Sequence, residues 1–116
     1  MVTLDENGLN ANINCVILAP ETMIQNGFHE NETNWYKFNE FIKDISLSIT
    51  IYKDANKRPR IDVLDESFCQ PYDYQSILEE YPDCACAEMT KQFVDRELEM
   101  LTKVGIVTGF VKGEYV

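Results

Sequence analysis

The sequence predicts an α+β fold, in which an antiparallel sheet of three or four strands carries two or three helices packed on one face. Three observations lead to this fold class. Residues 45–52 alternate between apolar and polar side chains, residues 61–63 repeat the alternation after a turn, and residues 84–103 carry apolar side chains at helical spacing. A length of 116 residues with 45% hydrophobic content is typical of one globular domain, which we place over residues 1–116.

The N-terminal third contains one predicted strand. We expect residues 1–10 to be a loosely ordered lead-in. Ile13, Cys15 and Ile17 alternate with their neighbours, which predicts a strand that Pro20 ends.

The next two segments have weaker patterns. Residues 21–34 include the Asn26-Gly27 pair and several polar side chains, so they are predicted to form a loop. The apolar spacing of residues 35–43 fits a short helix, and an aromatic strand is the alternative.

A β-hairpin is predicted over residues 45–64. Its first strand has a purely apolar face, and residues 54–57 have the composition of a turn. Pro59 has no N–H group, so it belongs at the start or at the edge of the second strand. The residues of the apolar face are Ile45, Leu47, Ile49 and Ile51.

Two helices follow the hairpin. Pro71 suits the first turn of a helix, where Asp73 would interact favourably with the helix dipole. Pro82 ends this helix and Asp83 is the predicted N-cap of the next one. The apolar stripe of the first helix consists of Tyr74, Ile77, Leu78 and Tyr81.

The longest helix is predicted over residues 84–103, and Gly105 is a natural C-terminal stop. Residues 106–111 predict a short final strand. Glu97 falls near the middle of the broad apolar face of the long helix, where an unpaired carboxylate costs several kcal/mol. It is therefore either hydrogen-bonded in the core, or placed in an interface with a basic residue of a partner or of a second copy. The predicted face consists of Cys86, Met89, Phe93, Val94, Leu98, Met100, Leu101 and Val104.

The charge of the chain restricts its partners. Asp and Glu number 20 against 10 Lys and Arg, for a formal net charge of −10, and residues 62–88 hold eight acidic side chains without a Lys or Arg. Such a surface repels nucleic acid and anionic lipid and attracts basic surfaces. The longest apolar run, residues 15–19, is too short to span a bilayer, and the N-terminus has no signal-peptide pattern, so we expect a soluble cytosolic protein.

The sequence contains little that points to catalysis or to a cofactor. His29 is the only histidine, and the five glycines are scattered rather than gathered in a phosphate-binding loop. The four cysteines form one C-x-C pair and two distant single residues, which favours buried thiols over a zinc site. We predict neither an enzyme nor a cofactor, although a metal-dependent nuclease using scattered carboxylates is the alternative.

Carboxylates and aromatic side chains alternate in residues 62–75, an arrangement that can imitate phosphates flanked by bases. Tyrosine is also enriched at the energetic centres of protein interfaces. The alternative is that the tyrosines pack on the sheet and the carboxylates only solvate this connection. The predicted partner-binding residues are Asp62, Asp65, Glu66, Tyr72, Asp73, Tyr74, Glu79, Glu80, Asp83 and Glu97.

Three runs carry a resemblance to known proteins: residues 61–66 (IDVLDE), residues 70–75 (QPYDYQ) and residues 105–109 (GIVTG). They resemble a family of small acidic proteins of phages and integrative elements of Firmicutes, and the resemblance covers roughly the last two-thirds of the chain. Some of these proteins are type II-A anti-CRISPRs. The resemblance implies binding to Cas9 in the bacterial host cytoplasm and interference with guide-RNA loading or DNA access.

We therefore expect a non-enzymatic inhibitor that binds a basic nucleic-acid-handling protein, most specifically type II-A Cas9, and that does not bind nucleic acid or membrane directly. The alternative is a structural or assembly protein of a mobile element that self-associates as a homodimer through the face around Glu97.

Overall fold

The computed structural model describes residues 13–110, which form seven strands and three helices. The predicted lead-in over residues 1–10 and Val111 of the predicted final strand lie outside the described residues. In chain order the elements are β1 Asn14–Cys15, α1 Pro20–Gln25, β2 His29–Glu30, β3 Asn34–Ile42, β4 Ile45–Tyr52, β5 Arg60–Asp65, β6 Gln70–Pro71, α2 Tyr74–Glu80, α3 Ala85–Val104 and β7 Val107–Thr108.

The main sheet is an antiparallel meander of five strands in the order β2-β3-β4-β5-β6. A separate antiparallel pair joins β1 to β7 and so connects the two ends of the described chain. The predicted α+β class with an antiparallel sheet is confirmed. The predicted number of three or four strands is wrong, because β2 and β6 are only two residues long and too short to produce a pattern.

The predicted hairpin is present as β4 and β5, and its apolar face is the floor of the core. Ile45, Leu47, Ile49 and Ile51 are all buried, and the register places Ile49 opposite Ile61. Burying a large aliphatic side chain contributes about 2 kcal/mol, so strict alternation on one face specifies both the strand and its register.

The long helix α3 packs over this floor with Val94 near the centre of its buried side. It ends at Gly105, whose φ of +99° is the left-handed conformation that favours glycine. The centre of the apolar face predicted for α3 lies about 80° around the helix axis from the centre of the side that is buried, counting 100° per residue. As a result Met89 and Met100 are exposed, and the side chains that are buried are Ala87, Thr90, Val94, Asp95, Leu98 and Leu101.

The loop predicted over residues 21–34 is wrong in two places. Pro20 starts the short helix α1, which ends before Gly27 at a φ of +89°. Phe28 then enters the core at 1% exposure, and the chain continues directly into β2.

Residues 34–42 form a strand, so of the two alternatives for this segment the strand is correct. β3 pairs with β4 from Asn34 to Ile42 and carries a bulge between Glu40 and Ile42. Its inward-facing residues include Trp35 and Lys37, which are both buried.

Two helix starts differ from the predictions. Pro71 belongs to β6, not to a helix, because its neighbours pair with the end of β5. The N-cap of α3 is Cys84 rather than Asp83.

Candidate protein-binding surface

The exposed carboxylates of residues 65–83 lie on three consecutive parts of the structure: the turn after β5, helix α2 and the connection from α2 to α3. Glu66, Glu79, Glu80 and Asp83 are exposed, whereas Asp65 and Asp73 are half-buried. Among residues 13–110 no Lys or Arg forms an ion pair with any of the six. We call this set the acidic surface; its members are Asp65, Glu66, Asp73, Glu79, Glu80 and Asp83.

The turn between β5 and β6 is held by local hydrogen bonds. Asp65 Oδ1 accepts from the Ser67 N–H at 3.0 Å, and the Ser67 hydroxyl donates to Asp44 Oδ2 at 2.9 Å. The Glu66 N–H also donates to the Asp44 carbonyl at 2.7 Å. These bonds fasten the turn to the β3–β4 turn and leave the Phe68 ring at its tip with 74% of its surface exposed.

Asp73 has a structural role besides its charge. It is the N-cap of α2, where Oδ1 accepts from the Ser76 N–H at 3.2 Å and Oδ2 accepts from the Ser76 hydroxyl at 2.8 Å. A capping aspartate satisfies an otherwise unpaired N–H group and places negative charge at the positive end of the helix. The sequence predicts Asp73 inside a first turn that contains Pro71; the helix begins three residues later than Pro71, so Asp73 is its N-cap instead.

Tyr72 connects the parts of the acidic surface. Tyr72 directly follows β6, and its half-buried side chain packs against the core, as Cys84 and Cys86 at the start of α3 do. Burial first, and then the neighbouring Cys86, Cys84 and Asp65, raise the pKa of Tyr72 well above its usual range. Asp65 at the end of β5 and Cys84 at the start of α3 therefore lie close to the same tyrosine ring.

Tyr74 is not available to a partner, so its assignment as an anchor is corrected. Its side chain is fully buried at 0% exposure and belongs to the hydrophobic core. Burial first, and then the charges of Asp95 and Asp73, raise the pKa of the Tyr74 hydroxyl far above its usual range. Tyr72 is half-buried, so the alternative interpretation, in which these tyrosines pack inside, describes Tyr74 fully and Tyr72 in part.

The exposed aromatic side chains of this region are Phe68 and Tyr81, which the sequence analysis did not select. Tyr81 is 61% exposed and is the C-cap of α2. For Tyr81 the sequence has a signal, because Tyr81 precedes Pro82, a position that is disfavoured in a helix. For Phe68 it has none, because the two-residue strand β6 that makes this segment a turn leaves no pattern in the sequence. Tyr81 lies after the last residue of α2, so its ring is exposed even though its spacing fits the apolar stripe of that helix.

Asp62 is separate from the acidic surface. It lies on β5, on the sheet face opposite the core, and pairs with Arg60 at 3.1 Å between Asp62 Oδ1 and Arg60 Nη2. A second contact of 3.2 Å joins Arg60 Nε to Asp62 Oδ2, so the pair has two parallel bonds. Its charge is already compensated within the chain.

Glu97 finds its basic partner inside the chain. Glu97 Oε2 lies 3.4 Å from Lys37 Nζ on β3, and the two side chains are only 14% and 10% exposed. The Lys37 stem passes beneath Gly27, where an added Cβ would lie 3.1 Å from Lys37 Cε. The prediction that Glu97 is either paired in the core or engaged with a partner is resolved in favour of the core.

The cysteines are free thiols, and among the described residues no group of three or more His, Cys, Asp or Glu side chains is placed to hold a metal ion. Burial raises the pKa of Cys15 to about 12. Cys15, Cys84 and Cys86 are half-buried, but Cys69 is exposed at a φ of +51°, which departs from the expectation of buried thiols. None of the helices in the described part of the chain combines the length and apolar character needed to cross a membrane.

Comparison with known proteins finds no match: no protein family, no curated protein and no solved structure is significantly similar to this chain. The resemblance to type II-A anti-CRISPRs therefore stays a hypothesis.

Proposed function

We propose that this chain is a non-enzymatic inhibitor, which uses its acidic surface to occupy a basic nucleic-acid-binding groove of another protein. The observation that carries the proposal is the set of six carboxylates that form no ion pair with a Lys or Arg of residues 13–110, beside two exposed aromatic rings, Phe68 and Tyr81. Type II-A Cas9 is the specific partner we propose, and this choice rests on the resemblance of residues 61–75 and 105–109.

Charge would provide steering and selectivity. A surface of one sign raises association rates with an oppositely charged partner by about 10- to 1,000-fold, and the effect decreases as salt rises. Cas9 binds its guide–target heteroduplex in a positively charged channel. A folded acidic surface in that channel would compete with the phosphates of the guide RNA or of the DNA.

Phe68 and Tyr81 would supply the apolar part of the contact. Exposed aromatic rings bury a large area with little loss of side-chain entropy, and aromatic residues are common among the residues that dominate binding energy. In this proposal the carboxylates position the surface and the two rings anchor it.

The direct test is a pull-down of type II-A Cas9, with and without guide RNA, followed by a DNA cleavage assay in which the order of addition is varied. Inhibition only when the chain is added before the guide would indicate competition with guide loading. Inhibition after loading would indicate blocked DNA access. Absence of Cas9 binding in every order would overturn the Cas9 part of the proposal.

A charge variant with a matched control tests the surface itself. Glu80→Lys changes the acidic surface, whereas Glu32→Lys makes the same change at an exposed position between β2 and β3. We expect Glu80→Lys to weaken binding by about tenfold and Glu32→Lys by less than about threefold, because local charge contacts decay over a Debye length of about 8 Å. Equal effects of the two variants would show that only net charge matters.

The aromatic anchors have their own control. Phe68→Ala and Tyr81→Ala should each weaken binding by about tenfold or more, as expected for the loss of an interface anchor. Ile24→Ala, at a 63% exposed position on α1, should leave binding unchanged. Similar affinity for all three variants would contradict the assignment of the anchors.

The second candidate function is a structural or assembly protein of a mobile element. Large apolar side chains exposed on α3, Met89 at 56% and Met100 at 41%, favour a further contact surface. Self-association without affinity for Cas9 would support this candidate over the inhibitor.

A further inference from the structure

The turn between β4 and β5 differs in charge from the rest of this acidic chain. Residues 53–60 contain one carboxylate and four cations, which are Lys53, Lys57, Arg58 and Arg60. Lys53 Nζ lies 2.7 Å from Glu30 Oε2, and the charge of Lys53 is thereby compensated. Arg60 is compensated in the same way by Asp62. Lys57 forms no ion pair with a carboxylate of residues 13–110, so its positive charge remains at the turn.

A cavity of about 230 Å³ lies between this turn and β1. Hydrogen-bond donors from three segments line it, and no Asp or Glu is among the lining residues that the structure describes. The cavity is smaller than the pockets of about 300–1,000 Å³ that hold drug-sized ligands, so its size suits a small ligand. The donors are Asn14 of β1, Tyr52 of β4, and Asn56, Lys57 and Arg58 of the turn.

Contacts within the chain hold the two cations beside the cavity. Lys57 Nζ lies 5.4 Å from the centroid of the Tyr52 ring, within the range of a cation–π interaction. Arg58 Nη2 donates to the Ile13 carbonyl at 3.3 Å, and this bond ties the turn to the start of the described chain. Both positive charges are therefore positioned before a ligand arrives.

Asp54 is the carboxylate of the turn, and its hydrogen bonds are made to the turn itself. Asp54 Oδ1 accepts from the Asn56 N–H at 2.9 Å, and the Asp54 carbonyl accepts from the Lys57 N–H at 3.0 Å. Asp54 is not among the residues that line the cavity. It stabilises the turn that presents Asn56 and Lys57, and it does not occupy the place of an anion.

We propose that this cavity binds a small oxyanion, namely a phosphate group, either as free phosphate or as a phosphate monoester. Lys57 and Arg58 would supply charge-assisted hydrogen bonds, which are roughly twice as strong as neutral ones. The side chains of Asn14, Tyr52 and Asn56 would supply neutral donors. A phosphate group accepts hydrogen bonds from several directions, and donors from three segments of the chain match that property.

The acidic surface lies too far away to prevent binding at this cavity. β5 runs from the turn to the acidic surface, and its five residue steps from Arg60 to Asp65 span about 17 Å. This distance is about twice the Debye length of about 8 Å at physiological salt, so the repulsion is largely screened. Because Lys57 and Arg58 are exposed, water weakens their contacts, and we expect a Kd of about 1 mM for inorganic phosphate.

The phosphate site does not depend on which protein the acidic surface binds. Its residues are separate from the acidic surface, and phosphate binding is measured without Cas9. Loss of phosphate binding with Cas9 binding intact, and loss of Cas9 binding with phosphate binding intact, are distinguishable results.

The test is a titration of the isotope-labelled full chain with inorganic phosphate at constant pH, followed by NMR. We expect saturable shifts of the backbone amides of residues 54–58 and of the side-chain amides of Asn14 and Asn56. Absence of a saturable shift up to about 20 mM phosphate, twenty times the expected Kd, would overturn the proposal. So would shifts of the same size in sodium chloride at equal ionic strength, because they would report only screening.

Two further probes distinguish the sources of the phosphate group. Adenosine monophosphate that binds about tenfold more tightly than inorganic phosphate would identify a monoester as the ligand. Equal affinity of the two would show that the cavity recognises the phosphate group alone. Adenosine without phosphate should not bind, and adenosine that binds as tightly as its monophosphate would contradict a phosphate site.

A matched pair of variants locates the site. Lys57→Gln removes one charge at the cavity, whereas Lys43→Gln makes the same change in the exposed turn between β3 and β4, at the other end of the sheet. We expect Lys57→Gln to weaken phosphate binding by about fivefold or more and Lys43→Gln by less than about twofold. Equal effects of the two variants would overturn the assignment of the site.

Asn56→Asp is the stronger test, because it places a carboxylate in the lining of the cavity. This variant should abolish saturable phosphate binding, since like charges repel at short range. Circular dichroism and a thermal transition check that each variant is folded. A folded Asn56→Asp variant that binds phosphate as tightly as the parent chain would also overturn the proposal.

Discussion

The two edges of the five-stranded sheet differ in charge, in exposed side chains and in what they can pair with. The β6 edge ends in Pro71, which lacks an N–H group, and continues into the acidic surface with Phe68 at its tip. The β3 edge is close to neutral, directs the backbone groups of Phe38 and Glu40 outward, and has α3 beside it. A strand pairs with the second kind of edge more readily than with the first. The two edges of one sheet therefore present different groups to solvent: carboxylates near β6 and, among the described residues, unpaired backbone groups on part of β3.

The two sides of the sheet are also held to the rest of the protein by different contacts. The β3 side is fixed to α3 by a buried ion pair and an aromatic stack, whereas the β6 side is fixed by caps, turns and the half-buried Tyr72. Because the supporting contacts differ, variants can weaken one side while leaving the other intact.

The largest expected effect is on the β3 side. Glu97→Ala or Lys37→Ala leaves a nearly buried charge without its partner, so we expect either variant to lower the free energy of unfolding by about 3 kcal/mol. The double variant Lys37→Met with Glu97→Leu should be close to neutral, since a buried pair and a packed apolar pair are often equivalent. Urea denaturation of the three variants measures this. A loss for the double variant as large as for the single ones would show that the pair itself is needed.

The next effect is on the acidic side and depends on pH. The folded pKa of Tyr74 is raised above its ordinary value of 10.0, so folding favours the protonated hydroxyl. This contribution is fully present below pH 10 and is lost as pH rises above it, by up to about 1.4 kcal/mol per pH unit. Tyr74→Phe should reduce the loss of stability between about pH 10 and 12, which thermal melts at several pH values would detect. If Tyr74→Phe leaves the decrease of stability with pH unchanged in this range, then the decrease comes from other groups, such as Tyr72 or Cys15.

Gly27 and Gly105 test how tightly the Lys37 side chain is packed on the β3 side. Gly27 and Gly105 both have positive φ, but an added Cβ at Gly27 meets Lys37 Cε at 3.1 Å, whereas at Gly105 it meets nothing within 4 Å. Gly105→Ala should cost about 1 kcal/mol from the backbone alone, and Gly27→Ala about 2 kcal/mol because Lys37 must also move. Equal losses in denaturant melts would mean that the Lys37 stem adapts freely.

The smallest effect concerns the capping of α2. Asp73→Ala removes both hydrogen bonds to Ser76, so we expect a loss of about 1 kcal/mol in the free energy of unfolding. Asp73→Asn keeps an oxygen acceptor and should recover most of it. If Asp73→Asn is as unstable as Asp73→Ala, then the charge of Asp73, not its hydrogen bonds, stabilises the helix.

Much of the fold follows from local patterns. Local patterns of residues close together in the chain predict the hairpin of β4 and β5, the stop at Gly105 and three members of the α2 stripe, Tyr74, Ile77 and Leu78. β3 was ambiguous because Trp35, Phe38, Phe41 and Ile42 also fit a helical face, and because Lys37 occupies an inward position. A buried lysine is explained only by Glu97, which lies 60 residues further along the chain.

The sequence predicts the negative charge of the candidate site, but it identifies only some of the residues that are exposed there. Glu66, Glu79, Glu80 and Asp83 are exposed as expected, since carboxylates without partners stay in water. The prediction of Tyr72 and Tyr74 as binding residues depends on their proximity to carboxylates in the sequence, and proximity does not indicate which side of an element faces the core. Tyr74 turned inward, and Phe68 and Tyr81 are the rings that reach solvent.

The sequence by itself determined the α+β class, the hairpin, the two main helices and the excess of acidic side chains in residues 62–88, because periodicity and composition act locally. Only the tertiary structure decided the rotation of α3, the pairing of Lys37 with Glu97, the inward position of Tyr74 and the open edge at Phe38 and Glu40. Each of these depends on which distant surface covers a side chain or a strand. That information arises when the sheet and the helices pack together.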